Sequence, residues 1–321
     1  MSRIGLVLGG GGITGAAYQI ATLMAIELAC DWSANDADLV VGTSGGAYVA
    51  ALVRGGRLEL DSLVRYGDDR DAVADRIRSH VFVKDPGAKL GRWLRSGLLP
   101  GLRRPGVTML MGSPARYDPA GLAGWVEEQV GAGAHGWPKK PTVLAAYDVV
   151  ARQRVAFGTS DAPDVSLANA VAASSAIPLL FHPYVIEDRL YVDGGVASGT
   201  HLDLVLASEP PLDLVIVIAP MAATEERPGA WAHERVFDRV GRRALEEELS
   251  MVEAAWPSTD VLVIRPTRGV LSAMRPNPMA ATAAVPTFIR TLGSMQRRLA
   301  EPQIWNLLDT HLRRRRLRMA R

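Results

Sequence analysis

Residues 4–15 read IGLVLGGGGITG, and residues 38–46 read DLVVGTSGG. In each stretch a short run of large apolar residues is followed at once by glycines, and then by residues that favour a helix. Continuous apolar runs of this length are typical of parallel strands that are buried on both faces. Two successive units of strand, glycine turn and helix predict a parallel sheet that is flanked by helices.

The rest of the chain is predicted to complete one α/β domain over residues 1–321, with its core motifs between about 4 and 220. Later apolar runs predict two adjacent strands in residues 141–158, a helix running into a turn in 164–180, a hairpin in 185–195, and strands in 212–220 and 260–266. Glycine, proline and tryptophan are scattered through residues 79–138, which predicts a cap-like insertion. Residues 283–308 favour a helix, and the tail to 321 is basic.

The composition excludes several classes of protein. Hydrophobic residues make up 48% of the chain and charged residues 22%, which is typical of a folded protein. A net charge of +2 does not indicate a nucleic-acid partner, and the single cysteine excludes an intramolecular disulfide. The uncharged runs 4–26 and 165–186 are interrupted by glycines or prolines, and residues 1–25 do not resemble a signal peptide. We therefore expect a cytoplasmic protein that can lie peripherally at the membrane.

The sequence GTSGG at residues 42–46 matches G-x-S-x-G, the nucleophile elbow. In this motif a serine projects from a strained turn between a strand and a helix, and the flanking glycines let the chain bend. A glycine-rich turn with a serine can also be an ordinary connection, so the motif gains weight from the predicted strand before it and helix after it. Ser44 is the candidate nucleophile.

The opening glycines also satisfy G-x-G-x-x-G at Gly10, Gly12 and Gly15. A nucleotide- or phosphate-binding module is therefore the alternative to an enzyme. A dinucleotide site requires an acidic residue at the end of the second strand, but here that strand runs into Ser44. If the first two strands are adjacent, the N–H groups of Gly10, Gly11 and Gly12 can face a carbonyl oxygen that Ser44 attacks. That arrangement would be an oxyanion hole.

A nucleophilic serine requires a base, and two residues compete for that role. Asp193 ends a predicted strand in RLYVDGG, although an aspartate there can also simply stabilise a turn. His201 is the nearest histidine after it, and it would suit a Ser–Asp–His triad of the α/β-hydrolase type. On these residues alone, both hypotheses for the base remain open.

Taken together, the motifs resemble those of the patatin-like phospholipases. The sequence has GGGITG at residues 10–15, GTSGG at 42–46, ASSAIP at 173–178 and DGG at 193–195, in the order of that family. The resemblance implies a three-layer α/β/α sandwich with a mainly parallel sheet. It also implies a Ser–Asp dyad without histidine, in which Ser44 is the nucleophile and Asp193 the base. The motif glycines are Gly10, Gly11 and Gly12 in the oxyanion hole, with Gly15, Gly42, Gly46, Gly194 and Gly195.

By the same resemblance the expected activity is hydrolysis of carboxylic esters of lipids through an acyl-enzyme, with no metal or organic cofactor. The expected substrate is a lipid or another fatty-acyl ester. Thr14 departs from the family pattern, which has Arg or Lys at that position. Cations among residues 84–104 and in 313–318 fit a solvated surface and a solubilising tail, and the alternative is peripheral contact with anionic lipid headgroups. We expect no nucleic-acid partner.

Overall fold

The computed structural model describes residues 2–58, 69–85, 115–229 and 232–312. Eight strands form one sheet within these residues. Their bounds are Ile4–Leu8 (β1), Leu39–Thr43 (β2), Thr142–Asp148 (β3), Gln153–Phe157 (β4), Tyr184–Ile186 (β5), Arg189–Asp193 (β6), Leu214–Ile218 (β7) and Asp260–Ile264 (β8).

The strand order places the two glycine-ended strands side by side near the middle of the sheet. Along the sheet the order is β5–β6–β3–β2–β1–β7–β8, and β4 pairs with β3 as a side branch. The pairs among β3, β2, β1, β7 and β8 are parallel, whereas β4 and β6 run antiparallel to β3. Because β1 and β2 are adjacent and parallel, the turns that follow them lie at the same edge of the sheet.

The α-helices and short 3₁₀ helices connect these strands. The α-helices are Gly12–Cys30 (α1), Gly45–Arg54 (α2), Arg70–Val81 (α3), Ala120–Val130 (α4), Leu167–Ser174 (α5), Ala232–Ala255 (α6), Arg268–Ala273 (α7), Ala284–Leu299 (α8) and Pro302–His311 (α9). The 3₁₀ helices are Ala34–Asp36, Gly131–His135, Gly194–Val196, Leu202–Ala207 and Ala281–Ala283.

Both faces of the sheet are buried, which makes the fold a three-layer sandwich. Leu6 and Val40 face one apolar cluster, which includes residues of α1, α2, α5 and α8. Val7 and Val41, the next residues along the same strands, face a second cluster with Leu245 of α6. Since successive strand side chains point to opposite faces, these continuous apolar runs bury both faces of β1 and β2.

The predicted fold class is confirmed: the chain is a mixed α/β protein with a mainly parallel central sheet flanked by helices. Some element bounds differ from those predicted. Helix α2 begins at Gly45, inside the GTSGG motif, because Ser44 alone makes the reversal between strand and helix. The predicted C-terminal helix is two helices, α8 and α9, and the second has Pro302 at its first position, where proline is favoured.

Helix α1 is long and apolar enough to cross a membrane by length and composition alone, but 72% of its most apolar window is buried within the fold. It is a core helix here. Most of the basic stretch 84–104, the tail 313–318 and the middle of the predicted insertion lie outside the described residues. The prediction of membrane contact through those cations, and that of a cap over residues 79–138, both stay predictions.

Candidate active site

Ser44 makes a single-residue turn between β2, which ends at Thr43, and α2, which begins at Gly45. Its backbone has φ 54° and ψ −123°. A residue with a Cβ atom adopts such a positive φ only where the surrounding structure enforces it. The Ser44 N–H donates to the Ser174 hydroxyl at 2.9 Å, which in turn donates to the Ala145 carbonyl at 2.7 Å. The strained turn is thus tied to α5 and β3.

Ser174 is a residue whose role the sequence did not reveal. It belongs to the ASSAIP motif at residues 173–178, which is part of the family resemblance. The motif alone does not assign a function to this serine. Its buried hydroxyl bridges the nucleophile turn and the middle of β3. The motif was the signal in the sequence that pointed to this residue. The hydrogen-bond partners of its hydroxyl could not be predicted, because they lie far away in the sequence.

The two glycine turns meet backbone against backbone. A Cβ atom on Gly45 would overlap the Gly12 carbonyl oxygen, and one on Gly46 would overlap the Leu8 carbonyl oxygen. Only residues without a side chain allow this approach, which places the beginnings of α1 and α2 next to each other. The expected adjacency of the two turns is therefore present in the structure. We call residues 9–12, 42–46 and 193–195 together the glycine corner.

Asp193 reaches this corner because β2 and β6 lie end to end along one edge of β3. Thr43 pairs with Ala145 in the parallel β2–β3 ladder, and Asp193 pairs with Ala146 in the antiparallel β3–β6 ladder. Strand β4 occupies the opposite edge of β3 over the same residues. The carboxyl ends of β2 and β6 therefore face each other, and the residue after Thr43 is Ser44.

The Asp193 carboxylate is buried, and only one of its oxygens is fully engaged. Its Oδ1 accepts the Gly195 N–H at 2.7 Å. The buried Oδ2 has no hydrogen-bond partner among the described residues, although the Ser44 hydroxyl is near enough to favour the ionised form. Burial raises the pKa of Asp193 from 3.8 to about 6, and the Ser44 hydroxyl and the Gly195 N–H offset part of that rise.

The glycine loop lies against Ser44. A Cβ atom on Gly10 would stand 3.5 Å from the Ser44 Cβ. The Gly10 N–H donates to the Gly199 carbonyl at 2.7 Å, so this group is engaged and is not presented as a free donor. For the N–H groups of Gly11 and Gly12 there is no acceptor among the described residues. Of the three predicted oxyanion donors, these two remain available at the N-terminus of α1.

Thr14 and the remaining motif glycines lie in the glycine corner or next to it. Thr14 is completely buried, and its N–H donates to the Pro278 carbonyl at 3.0 Å. The position where the family has Arg or Lys is thus an enclosed one in this chain, and no charge stands there. Five other motif glycines lie within or next to this packing: Gly15 in α1, Gly42 in β2, Gly46 in α2, and Gly194 and Gly195 after β6.

His201 does not contact the candidate pair. Its Nδ1 lies 3.0 Å from the Thr43 hydroxyl, on the face of β2 that is buried by α6. Burial lowers the pKa of His201 to about 3, so the ring is neutral. No described histidine side chain hydrogen-bonds Ser44 or Asp193, so the geometry does not favour a Ser–Asp–His triad. Within the described residues no cluster of three or more His, Cys, Asp or Glu side chains could hold a metal ion.

An apolar cavity of about 350 Å³ opens next to Ser44. Gly12, Ser44 and Gly45 line it, and the polar side chains of Arg57, Arg76, Gln129 and Ser175 also belong to its wall. Most of its remaining wall consists of aliphatic and aromatic side chains from α1, α2, α3, α4 and α8, among them Ile20, Leu52, Ile77, Trp125 and Phe288. Its size and mainly apolar lining fit a hydrocarbon chain, and Ser44 lies in its wall.

Residues 6–206, well over half of the chain, match the family model for patatin-like phospholipase. The chain belongs to the patatin-like phospholipase family. This family consists of enzymes that hydrolyse carboxylic esters of lipids, so the coarse activity predicted from the motifs, a lipid ester hydrolase, is confirmed at the level of the family. No protein of curated function gives a significant match.

Three solved structures are similar to this patatin-like chain at low sequence identity. VipD from Legionella pneumophila is 15% identical with a TM-score of 0.38, over 92% of this chain and 67% of that one. Human GIVD cytosolic phospholipase A2 is 13% identical with a TM-score of 0.43, and the match covers 97% of this chain and 60% of that one. The ExoU–SpcU complex from Pseudomonas aeruginosa is 16% identical with a TM-score of 0.32, and the match covers 93% of this chain and 52% of that one. The chain thus spans between about half and two thirds of these proteins.

Proposed function

We propose that this patatin-like protein is a serine acyl hydrolase that uses Ser44 as nucleophile and Asp193 as base. The observation that carries the proposal is a strained serine beside a buried carboxylate oxygen that lacks a partner among the described residues. The raised pKa of Asp193, about 6, also supports it, because a stronger base accepts a proton from a serine hydroxyl more readily than an ordinary carboxylate does.

The first half of the reaction transfers the acyl group to the enzyme. The Ser44 Oγ attacks the ester carbonyl carbon while its proton passes to Oδ2 of Asp193, and the carbonyl oxygen becomes an oxyanion. When the tetrahedral intermediate collapses, the bond to the leaving alcohol breaks and Asp193 returns the proton to that alcohol. The product is an ester between Ser44 and the acyl group.

The second half releases the fatty acid. Asp193 takes a proton from a water molecule, whose oxygen attacks the acyl carbon and again forms an oxyanion. Collapse of this intermediate breaks the bond to Ser44, and the proton on Asp193 returns to the Ser44 oxygen. Every proton is thereby accounted for by one carboxylate, and the net reaction is ester plus water to acid plus alcohol.

The oxyanion is assigned to the N–H groups of Gly11 and Gly12. Both lie at the N-terminus of α1, and the N-terminus of α2 follows Ser44 directly. The positive ends of two helix dipoles therefore point into the same corner, where they favour negative charge. Hydrogen-bond donors and dipoles that are in place before the reaction begins usually contribute much of the stabilisation of the transition state.

The cavity supports a fatty-acyl substrate. With the ester carbonyl at Ser44, the acyl chain can enter the apolar volume, where burial of each methylene contributes about 0.8 kcal/mol. Phospholipids and neutral lipids both carry such chains, so the proposed substrate class is a long-chain carboxylic ester of a lipid. A cytoplasmic location and peripheral contact with anionic membranes remain part of the proposal.

A fluorophosphonate probe tests the nucleophile. The probe should label the wild-type protein, since Ser44 can displace fluoride from phosphorus, and labelling should disappear in Ser44→Ala. Ser250→Ala, which removes a serine hydroxyl from α6 away from the corner, is the control and should label normally. Undiminished labelling of Ser44→Ala would overturn the assignment of the nucleophile.

A further inference from the structure

Residues 198–202 form a segment just after the Asp193 turn, and one buried carboxylate from α6 holds it. Glu248 accepts three hydrogen bonds: from the Ser198 hydroxyl at 2.5 Å, from the Thr200 hydroxyl at 2.6 Å and from the Leu202 N–H at 2.9 Å. Burial raises the pKa of Glu248, and these three donors offset part of that rise. The carboxylate thus fixes both ends of a five-residue segment.

This segment in turn holds both strands that enter the glycine corner. The Gly199 carbonyl, in its middle, accepts the Gly10 N–H at 2.7 Å. Its His201 ring meets the hydroxyl of Thr43, the residue before the nucleophile, at 3.0 Å. Hydrogen bonds that are joined through the chain of residues 198–202 therefore connect Glu248 to the glycine loop and to the residue preceding Ser44.

The position of Glu248 on α6 argues that the carboxylate has a specific task. Leu245 and Val252, which are completely buried, lie three residues before it and four after it, on the same face of the helix. These two residues pack α6 against the sheet without help from a charge. A carboxylate in such an apolar stripe costs free energy unless its hydrogen bonds are all made.

We propose that Glu248 is a positioning residue for the reaction proposed above: it holds residues 198–202 so that the Gly199 carbonyl fixes Gly10, and thereby aims the N–H groups of Gly11 and Gly12 at the oxyanion. The inference rests on the proposed function for its catalytic consequence. Glu248 lies outside residues 6–206, the part of the chain that matches the family model.

The test is Glu248→Gln, which keeps the size of the side chain and replaces one acceptor by an NH₂ donor. That donor would face the Ser198 hydroxyl oxygen, which already accepts the N–H groups of Thr200 and His201 at 3.2 and 3.3 Å. The Ser198 hydroxyl would also lose its acceptor, so the segment should loosen without a change in volume. Glu253→Gln, which removes the same charge from an exposed position on α6, is the matched control.

Two measurements are compared on folded protein. Hydrogen exchange of the Gly10 amide should become at least about tenfold faster in Glu248→Gln and stay unchanged in Glu253→Gln. On a long-chain p-nitrophenyl ester, kcat should fall about ten- to a hundredfold with KM little changed, because a donor displaced by a fraction of an ångström serves the transition state poorly. The kcat values are normalised to the fraction of protein that a fluorophosphonate titrates, so that unfolded protein does not count.

The outcomes separate this inference from the proposed function. If Gly10 exchange is the same in Glu248→Gln as in wild type, the positioning role is overturned, whatever the activity. If the wild-type protein hydrolyses no ester and takes up no probe, the proposed function fails, while the exchange result still decides whether Glu248 holds the loop. Thr200→Val and the double variant provide a further check: effects on kcat that multiply would show independent roles and would contradict a shared path.

Discussion

In the glycine corner two backbone segments pack directly against each other: Gly45 contacts the Gly12 carbonyl, and Gly46 contacts the Leu8 carbonyl. In the cavity beside it, the wall consists of side chains from helices far apart in sequence, such as Leu52, Trp125 and Phe288. A backbone contact leaves no room for an added atom, whereas a wall of side chains can adjust. The two regions should therefore respond very differently to substitutions of similar size.

The largest effect is expected when the base is removed from the corner. Asp193→Asn keeps the shape of the side chain but cannot accept the serine proton, so kcat/KM should fall about 10³-fold, within the range for a general base. In the wild type kcat/KM should rise with pH up to about 6, where Asp193 becomes ionised, and then level off. The Asn variant should lack this rise, and a full pH profile of both proteins measures it.

Asp188→Asn is the control for that experiment, because Asp188 is exposed in the turn between β5 and β6. It should change neither kcat/KM nor the profile. An Asp193→Asn variant that keeps wild-type activity would exclude Asp193 as the base.

The next effect concerns the tightness of the corner itself. Gly46→Ala puts a Cβ atom into the Leu8 carbonyl, and we expect it to lower the free energy of unfolding by about 3 kcal/mol. Gly124→Ala, in the middle of α4 with no atom within 4 Å of the new Cβ, should instead be neutral or stabilise by up to about 1 kcal/mol. Urea denaturation of both variants measures the difference, and equal stabilities would refute the close approach.

A slightly smaller effect should appear in the pH dependence of stability. The pKa of Asp193 is raised in the folded state, so between pH 4 and 6 the folded protein binds protons more readily than the unfolded chain. The stability that the neutral carboxyl contributes is fully present below pH 3.8, falls as the pH rises, and is lost above about pH 6, a total change of about 3 kcal/mol at most. Asp193→Asn should therefore be more stable than wild type at pH 7.5, and this advantage should shrink at pH 4.5. Denaturation midpoints that differ equally at both pH values would contradict the raised pKa.

The smallest effect is expected in the cavity wall. Val285→Trp narrows the cavity from a half-buried position on α8, so it should lower kcat/KM about tenfold for a dodecanoyl ester and barely change it for a butanoyl ester. Val240→Trp, at an exposed site on α6, should change neither value. An equal loss for both esters would show that the cavity does not receive the acyl chain.

The same contrast explains how much could be predicted from the sequence. The strands β1 and β2, their glycine turns and the position of Ser44 follow from short local patterns, because apolar runs and G-x-S-x-G act over a few residues. The association of Asp193 with Ser44 came only through the family resemblance, and the pairing of β6 with β3, which brings Asp193 towards Ser44, was not predicted. Even so, the motif could not show that the Gly10 N–H is taken by Gly199, since that bond joins distant parts of the chain.

The cavity and the Glu248 contacts had no comparable signal. Wall residues such as Leu52 and Phe288 look like ordinary core residues of amphipathic helices, and the helix α6 was not predicted at all. Glu248 is one acidic residue among several on that helix, and only the fold shows that it turns inward towards Ser198 and Thr200. Features built from single contacts between remote elements leave no periodic pattern to read.

The end-to-end meeting of β2 and β6 along β3 has a consequence for how the protein comes into being. During synthesis Ser44 and its elbow emerge early, whereas Asp193 follows only after β3 and β4 have been made. Long-range pairing of this kind is slow to form. Under the proposed mechanism, a nascent chain therefore carries the Ser44 hydroxyl before its proton acceptor, and the activity would arise only when β6 pairs with β3. The topology of the sheet would then set the time at which the activity appears.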